Sequence, residues 1–228
     1  MLAASAQHIL ETLDDDAVVL DVGGAMKPFN RADWIMDALP YDRRGELGSI
    51  GGDSERFNAD TWVMCDFCDR QPWPFRDKEI DFVICSHTLE DVRDPIWMCS
   101  EMGRIATAGY IEVPSRLEEQ TYGFQGPWTG WSHHRWLIDV DQPAGQIQFV
   151  HKSAVVERAD SHFPTEFRET LGEADRVQTF WWQGGFEYRE RLFWDPVEFD
   201  AWLAAPLLGR KLPRSGTRGW RRRLLGRR

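Results

Sequence analysis

No stretch of about 18 uninterrupted apolar residues occurs in the 228-residue sequence, so no segment reads as a bilayer-spanning helix. The opening residues Met1 to His8 lack the basic start and apolar core of a secretory signal. Cysteine is scarce, with only Cys65, Cys68, Cys85 and Cys99, which predicts reduced thiols and a cytoplasmic location rather than a disulfide framework. No internal repeat recurs, and no Gly-x-Gly-x-x-Gly follows the first apolar run, which removes the phosphate cradle of a nicotinamide-dependent oxidoreductase. Positive charge is concentrated at one end. Residues 209–228 hold nine Lys or Arg and no acid, so a chain of formal charge −10 carries −19 over residues 1–208. An acidic body of that size repels phosphate and argues against a polynucleotide partner held by counterion release.

What is present suits one α/β domain with a full core, residues 1–208, followed by a basic tail, residues 209–228. Leu2 to Leu13 predicts a short helix that ends at Asp14-Asp15-Asp16. Ala17-Val18-Val19-Leu20-Asp21-Val22 is a compact apolar run leading into Gly23-Gly24, as in a parallel strand covered on both faces. Shorter runs at 34–36, 62–64, 82–85 and 110–113 predict four more parallel strands, and Ile96 to Ile105 has the helical spacing of a crossover helix. The connection between the first two runs is too short for a full helix, and Pro28 interrupts it. Beyond Ser115 a Gly-, Trp- and His-rich stretch reads as a long loop. Hairpins are expected at 136–150 and around Gln183-Gly184-Gly185, and a last helix starts at Asp195-Pro196. The tail is either a solvated end or a peripheral contact with an anionic membrane surface.

In open α/β sheets ligands collect at the carboxyl ends of the strands. Asp21, Asp37, Asp66 and Ser86 end such runs here. Gly23 and Gly24 permit close backbone approach to a ligand. An acid at the end of the second strand can accept hydrogen bonds from ribose hydroxyls, and Asp66-Phe67 offers an acceptor beside an aromatic face; together these describe an adenosine. The blocks Val19-Leu20-Asp21-Val22-Gly23-Gly24, Pro74-Phe75, Asp81 to Val92 and Asp94-Pro95 resemble class I S-adenosylmethionine-dependent methyltransferases of the type 11-like branch, over about Ala17 to Ser115. The resemblance implies a Rossmann-like fold with a central, mostly parallel sheet and flanking helices, an inserted β-hairpin and a C-terminal tail. It also implies S-adenosylmethionine as cofactor, with Asp21, Gly23 and Gly24 at the methionine portion, Asp37 at the ribose, Asp66 and Phe67 at the adenine, and Ser86 and His87 near the sulfonium. The sequence departs from that pattern in its reduced glycine loop and in Asp91, which stands where the branch carries a histidine.

Methyl transfer to a hydroxyl needs a base, and His133 or His134, in the acceptor-side region 116–208, suits that task near neutral pH. The alternative is that both histidines only pack the start of the hairpin. Placed on a strand they would point opposite ways, so no metal site is expected from them. Cys65-Asp66-Phe67-Cys68 is a lone pair of thiols without two further zinc ligands. Tyr122, Phe124, Trp128, Trp131 and Trp136 interleave with glycines and either present flat rings to a sugar or aromatic acceptor or pack as a lid. Glu112 either faces the acceptor or anchors backbone. The expected activity is methyl transfer to a nucleophile of a small molecule or glycan intermediate; the competing expectation is a degenerate cofactor-fold protein that acts as a binding or scaffold module.

Overall fold

The structure is a computed structural model that describes residues 1–158 and 161–207; the basic tail, residues 209–228, lies outside the described residues. Among the described residues no helix is long and apolar enough to cross a membrane. Contacts group the described residues into two units, the first formed by residues 1–113, 140–147 and 179–189, the second by residues 114–139, 148–158, 161–178 and 190–207.

The first α-helix, α1 (Ala3–Thr12), buries Ala6 and Ile9 and stops before the triple aspartate. Strands β1 (Val19–Val22), β2 (Trp34–Asp37), β3 (Trp62–Met64), β4 (Ile80–Ser86) and β5 (Ala106–Pro114) follow, with α2 (Pro95–Ile105) between the last two. All four residues of β1 are buried, as expected for a strand covered on both faces. Asp94 caps α2 by accepting the Trp97 N–H at 3.0 Å, with Pro95 at the first helical position, so the Asp-Pro start seen in the sequence does what it predicts. Neither β1–β2 nor β2–β3 is joined by an α-helix; the second of these connections contains only 3-10 turns at Tyr41–Arg43 and Ala59–Thr61.

The remaining elements are α3 (Arg116–Glu119), β6 (Trp136–Asp141), β7 (Gln146–His151), α4 (Thr165–Arg168), α5 (Glu173–Arg176), β8 (Val177–Gln183), β9 (Glu187–Glu190) and α6 (Pro196–Ala204). A six-stranded sheet has the order β3-β2-β1-β4-β5-β8, and β1 to β5 pair in parallel. Strand β8 runs against β5: Gly184 N–H donates to Thr107 at one end and Ser115 N–H to Arg176 at the other. The hairpin at 136–150 forms as β6 and β7. The one expected around Gln183-Gly184-Gly185 does not: the chain turns there, but β9 leaves for the second sheet, of order β6-β7-β9, where its neighbour is β7 rather than β8. A tight turn is a local property, whereas the choice of strand partner is not.

Around the sheet the first unit packs Ile9, Phe29, Ile35, Trp62, Ile84 and Tyr110 into one buried cluster. At about 1.5–3 kcal/mol for each fully buried large apolar side chain, this cluster holds the sheet in register. That register aligns the strand ends: Val22 lies opposite Met36 and Cys85, Asp37 opposite Met64, and Ser86 opposite Glu112. The second unit has its own cluster, including Leu137, Val150, Phe163, Phe167, Trp202 and Leu203.

Candidate functional site

The carboxyl edge of β1 to β5 gathers the acidic and hydroxyl residues that the sequence singled out. Asp21 is 3% exposed and accepts the Phe29 N–H at 2.9 Å. Burial pushes its carboxyl up to about 7; the Phe29 hydrogen bond opposes this and the nearby Asp37 adds to it. Asp37 accepts the Ala25 N–H through Oδ2 and the Leu39 N–H through Oδ1, both at 2.9 Å, so it shapes the turn after β1. Each of its oxygens keeps a second lone pair for a ligand. Gly23 has φ +78°, and a Cβ there would lie 2.0 Å from Thr88 Oγ1; a Cβ on Gly24 would lie 2.1 Å from Asp21 Oδ2. The glycine pair therefore lets this turn close onto Thr88 and Asp21.

Farther along the edge, Asp66 is exposed, and its Oδ1 accepts the Cys68 N–H at 2.9 Å. Phe67 is 7% exposed with its ring 6.0 Å from that of Trp73, so protein covers most of its surface. All four cysteines are free thiols, and burial pushes Cys65 up to about 11, which keeps it protonated near neutral pH and a poor ligand or nucleophile.

At the end of β4 the side chain of His87, with backbone φ +56° and 41% exposed, lies between two carboxylates. Its Nε2 is 3.1 Å from Glu112 Oε1 and its Nδ1 is 3.3 Å from Glu90 Oε1. Burial alone would lower its pKa, but the hydrogen bonds to Glu112 and Glu90 outweigh this and raise it to about 9. Burial likewise raises Glu112, and the bond from His87, the amino terminus, Tyr110 and the Leu2 N–H overcome it and bring Glu112 down to about 2. Glu112 also accepts the Leu2 N–H at 2.8 Å and the Tyr110 hydroxyl, so it anchors structure. The Met1 ammonium, 4% exposed and 3.3 Å from Glu112 Oε1, adds a second positive group to this cluster. Ser86 Oγ and Glu90 Oε2 are buried and have no hydrogen-bond partner among the described residues. Glu90 was not singled out in the sequence, because nothing there distinguishes a buried acid in a strand-to-helix turn from a solvated one.

In the second unit His133 is exposed and His134 half-buried, and both lie in a turn before β6 rather than on a strand. Their rings meet edge to face at 4.6 Å, so the expectation that they point opposite ways is corrected: strand alternation does not apply in a turn. His134 Nδ1 is 2.7 Å from Glu119 Oε1, and Lys152 Nζ is 3.0 Å from Glu119 Oε2. Glu119, almost fully buried in the single turn of α3, and Lys152, at the exit of β7, were missed in the sequence. Neither sits in a motif, and only the tertiary fold brings them to His134.

The five parallel strands, the order 3-2-1-4-5 and the polar carboxyl edge decide the architecture. The fold is Rossmann-like. No protein-family model matches the sequence, and no curated protein matches it. The Rossmann-like chain is similar to a methyltransferase solved in complex with the Trm112 activator from Haloferax volcanii, at 19% identity over 61% of this chain and 74% of that one, TM-score 0.36. It is also similar to an S-adenosylmethionine-dependent methyltransferase from Mesorhizobium loti, at 12% identity over 67% of this chain and 65% of that one, TM-score 0.35. A third similar structure is the [4+2]-cyclase SpnF, at 16% identity over 55% of this chain and 50% of that one, TM-score 0.38. Likeness of this size carries no argument about activity.

Proposed function

We propose that the chain binds S-adenosylmethionine at the carboxyl edge of β1 to β4 and transfers its methyl group to a nucleophile of a small molecule or glycan intermediate. The observation that carries this reading is the pair of buried acceptors Ser86 Oγ and Glu90 Oε2, without a hydrogen-bond partner among the described residues, at the strand end where His87 lies between Glu90 and Glu112, since a buried polar atom left so calls for a ligand. Asp37, with two lone pairs left, and exposed Asp66 supply further acceptors at adjacent strand ends, which suits a nucleoside with a ribose diol and an amino group. When bound, the cofactor supplies an electrophilic methyl group. Asp21, Gly23 and Gly24 would border its amino-acid end, Phe67 its ring, and Ser86 and His87 its cationic centre.

Residues 116–208 would supply the acceptor side, with His134 as the base. Its Nδ1 lies 2.7 Å from Glu119 Oε1, a contact that orients the ring. His133, which is exposed, is the second candidate. The few, free cysteines suit a cytoplasmic setting, and the acidic body suits a non-nucleic-acid acceptor.

A second reading, a cofactor-fold protein without turnover, is favoured by one observation: the space at Gly23 and Gly24 is filled by Thr88 and Asp21, and Asp21 is turned to its own Phe29 N–H. Thermal melting with S-adenosylhomocysteine separates the readings from a chain that binds no cofactor at all. Saturating ligand, at about 100 times its dissociation constant, should stabilise the protein by about 2.7 kcal/mol. Asp66→Ala, which removes an exposed acceptor, and Asp37→Ala should both weaken the shift. No shift in the wild type refutes cofactor binding. With binding established, His134→Ala should lose turnover on the true acceptor while keeping the shift, and unchanged rates in both His133→Ala and His134→Ala remove the proposed base.

A further inference from the structure

The second unit contains a cavity of about 350 Å³ walled by Trp128, Trp131, Ser132, His134, Lys152 and Glu157, within the size range of small-molecule sites. Its walls are fixed by their own bonds. Trp128 Nε1 donates to Gln125 Oε1 at 3.3 Å, and the same oxygen accepts the Ser132 N–H at 3.1 Å, which ties the two sides of the loop together. The Trp131 ring packs 5.5 Å from Phe124 and 5.9 Å from His134. Lys152 Nζ donates to Glu119 Oε2 and, at 2.8 Å, to the Trp131 carbonyl, so two of its three N–H groups hold the site. Gly130 has φ +64°, and a Cβ there would lie 2.6 Å from Glu119 Oε2 and 2.8 Å from Lys152 Nζ. The ion pair therefore presses against a backbone position that only glycine accommodates, one residue before Trp131.

We propose that this cavity binds an uncharged pyranoside, its C–H face against an indole and its hydroxyls on Lys152 and Glu157. The indoles offer flat apolar area for the face of a sugar ring. Lys152 retains one N–H to donate. Glu157, whose oxygens accept the Thr129 N–H at 3.1 Å and the Thr129 hydroxyl at 3.2 Å, retains lone pairs to accept. A hydroxyl uses both capacities at once. An anionic ligand meets the Glu157 carboxylate, and the Lys152 ammonium that would offset it is already paired with Glu119, so the lining selects against anions. As an acceptor site this rests on the methyl-transfer reading above, because it makes the His134 edge of the cavity the place where a sugar hydroxyl loses its proton; as a binding site it stands without that reading.

The test titrates the full chain with the methyl α-glycosides of glucose, mannose, galactose and rhamnose, read by tryptophan fluorescence and by saturation-transfer NMR of the glycoside. Tetramethylammonium and the methyl α-glycoside of glucuronic acid, with its C6 carboxylate free, serve as the charged comparisons. The expected result is saturable binding of at least one neutral glycoside, weakened about tenfold or more by Trp131→Ala and by Trp128→Ala, as for truncation of a central aromatic contact. The second variant keeps the test decisive if the first fails to fold, and circular dichroism checks both. Binding of no neutral glycoside, or tighter binding of either charged probe, overturns the proposal. If glycosides fail while S-adenosylhomocysteine still stabilises the protein, only the sugar assignment falls; if glycosides bind and S-adenosylhomocysteine does not, the cavity stands and methyl transfer falls.

Discussion

Asp21→Asn should make the protein more resistant to heat at alkaline than at acidic pH relative to the wild type. The carboxyl is 3% exposed, and burial raises it from its ordinary 3.8 to about 7, with the Phe29 N–H pulling down and Asp37 pushing up. Folded, Asp21 keeps its proton up to about pH 7; unfolded, it releases it near 3.8, so between these values the unfolded chain binds fewer protons and stability falls as pH rises. The contribution is fully present below the unfolded value and gone above the folded one. The gap from 3.8 to about 7 corresponds to roughly 4 kcal/mol at about 1.36 kcal/mol per pKa unit. About 1.6 kcal/mol of this is already lost at about pH 5, which leaves about 2–3 kcal/mol between there and about pH 8. Asparagine carries no titrating proton and keeps an oxygen for the Phe29 N–H, so the variant escapes this slope. Differential scanning calorimetry should show the melting difference, variant minus wild type, growing by roughly 5–10 °C between the two pH values. All other titrating groups are common to both proteins and cancel. A melting difference that is the same at both pH values, or larger at the acidic one, refutes a buried carboxyl at this edge of the sheet.

Glu112→Gln should lower the titration midpoint of His87 from about 9 toward or below the ordinary 6.5, because one of the two carboxylates that outweigh burial is gone; imidazole NMR reads this, and an unmoved midpoint refutes the clamp. In the wild type the raised folded value means that the clamp's contribution is complete below about 6.5 and is lost as pH rises through about 9, so Glu112→Gln should flatten the alkaline fall in melting temperature. Gly130→Ala and Gly145→Ala form a matched pair at φ +64°, but a Cβ at 130 lies 2.6 Å from Glu119 whereas at 145 nothing lies within 4 Å. Both should cost about 1 kcal/mol or more in backbone strain, with the extra loss at 130 measuring the contact; equal losses refute the close packing around Lys152.

Periodicity and punctuation along the chain determined the five parallel strands, the crossover helix and its Asp94-Pro95 start, because each depends on residues near one another in sequence. The positions of Asp21, Asp37, Asp66 and Ser86 at strand ends were legible for the same reason: a strand's carboxyl end is where its apolar run stops. Which lone pairs those acids retain was not legible. Phe29, Ala25 and Leu39 claim them through a turn whose closure depends on Thr88, two residues past the end of β4, meeting Gly23. The turn at Gln183-Gly184-Gly185 could be read locally, but the partner of β9 could not, since pairing with β7 competes with pairing to β8 only once both sheets exist. His134 was visible as a histidine, but its carboxylate Glu119 and the ammonium of Lys152 lie 15 and 33 residues from the atoms they hold. Folding alone decides such contacts, because charge pairs form where packing has already excluded water, and no local pattern encodes where that will be.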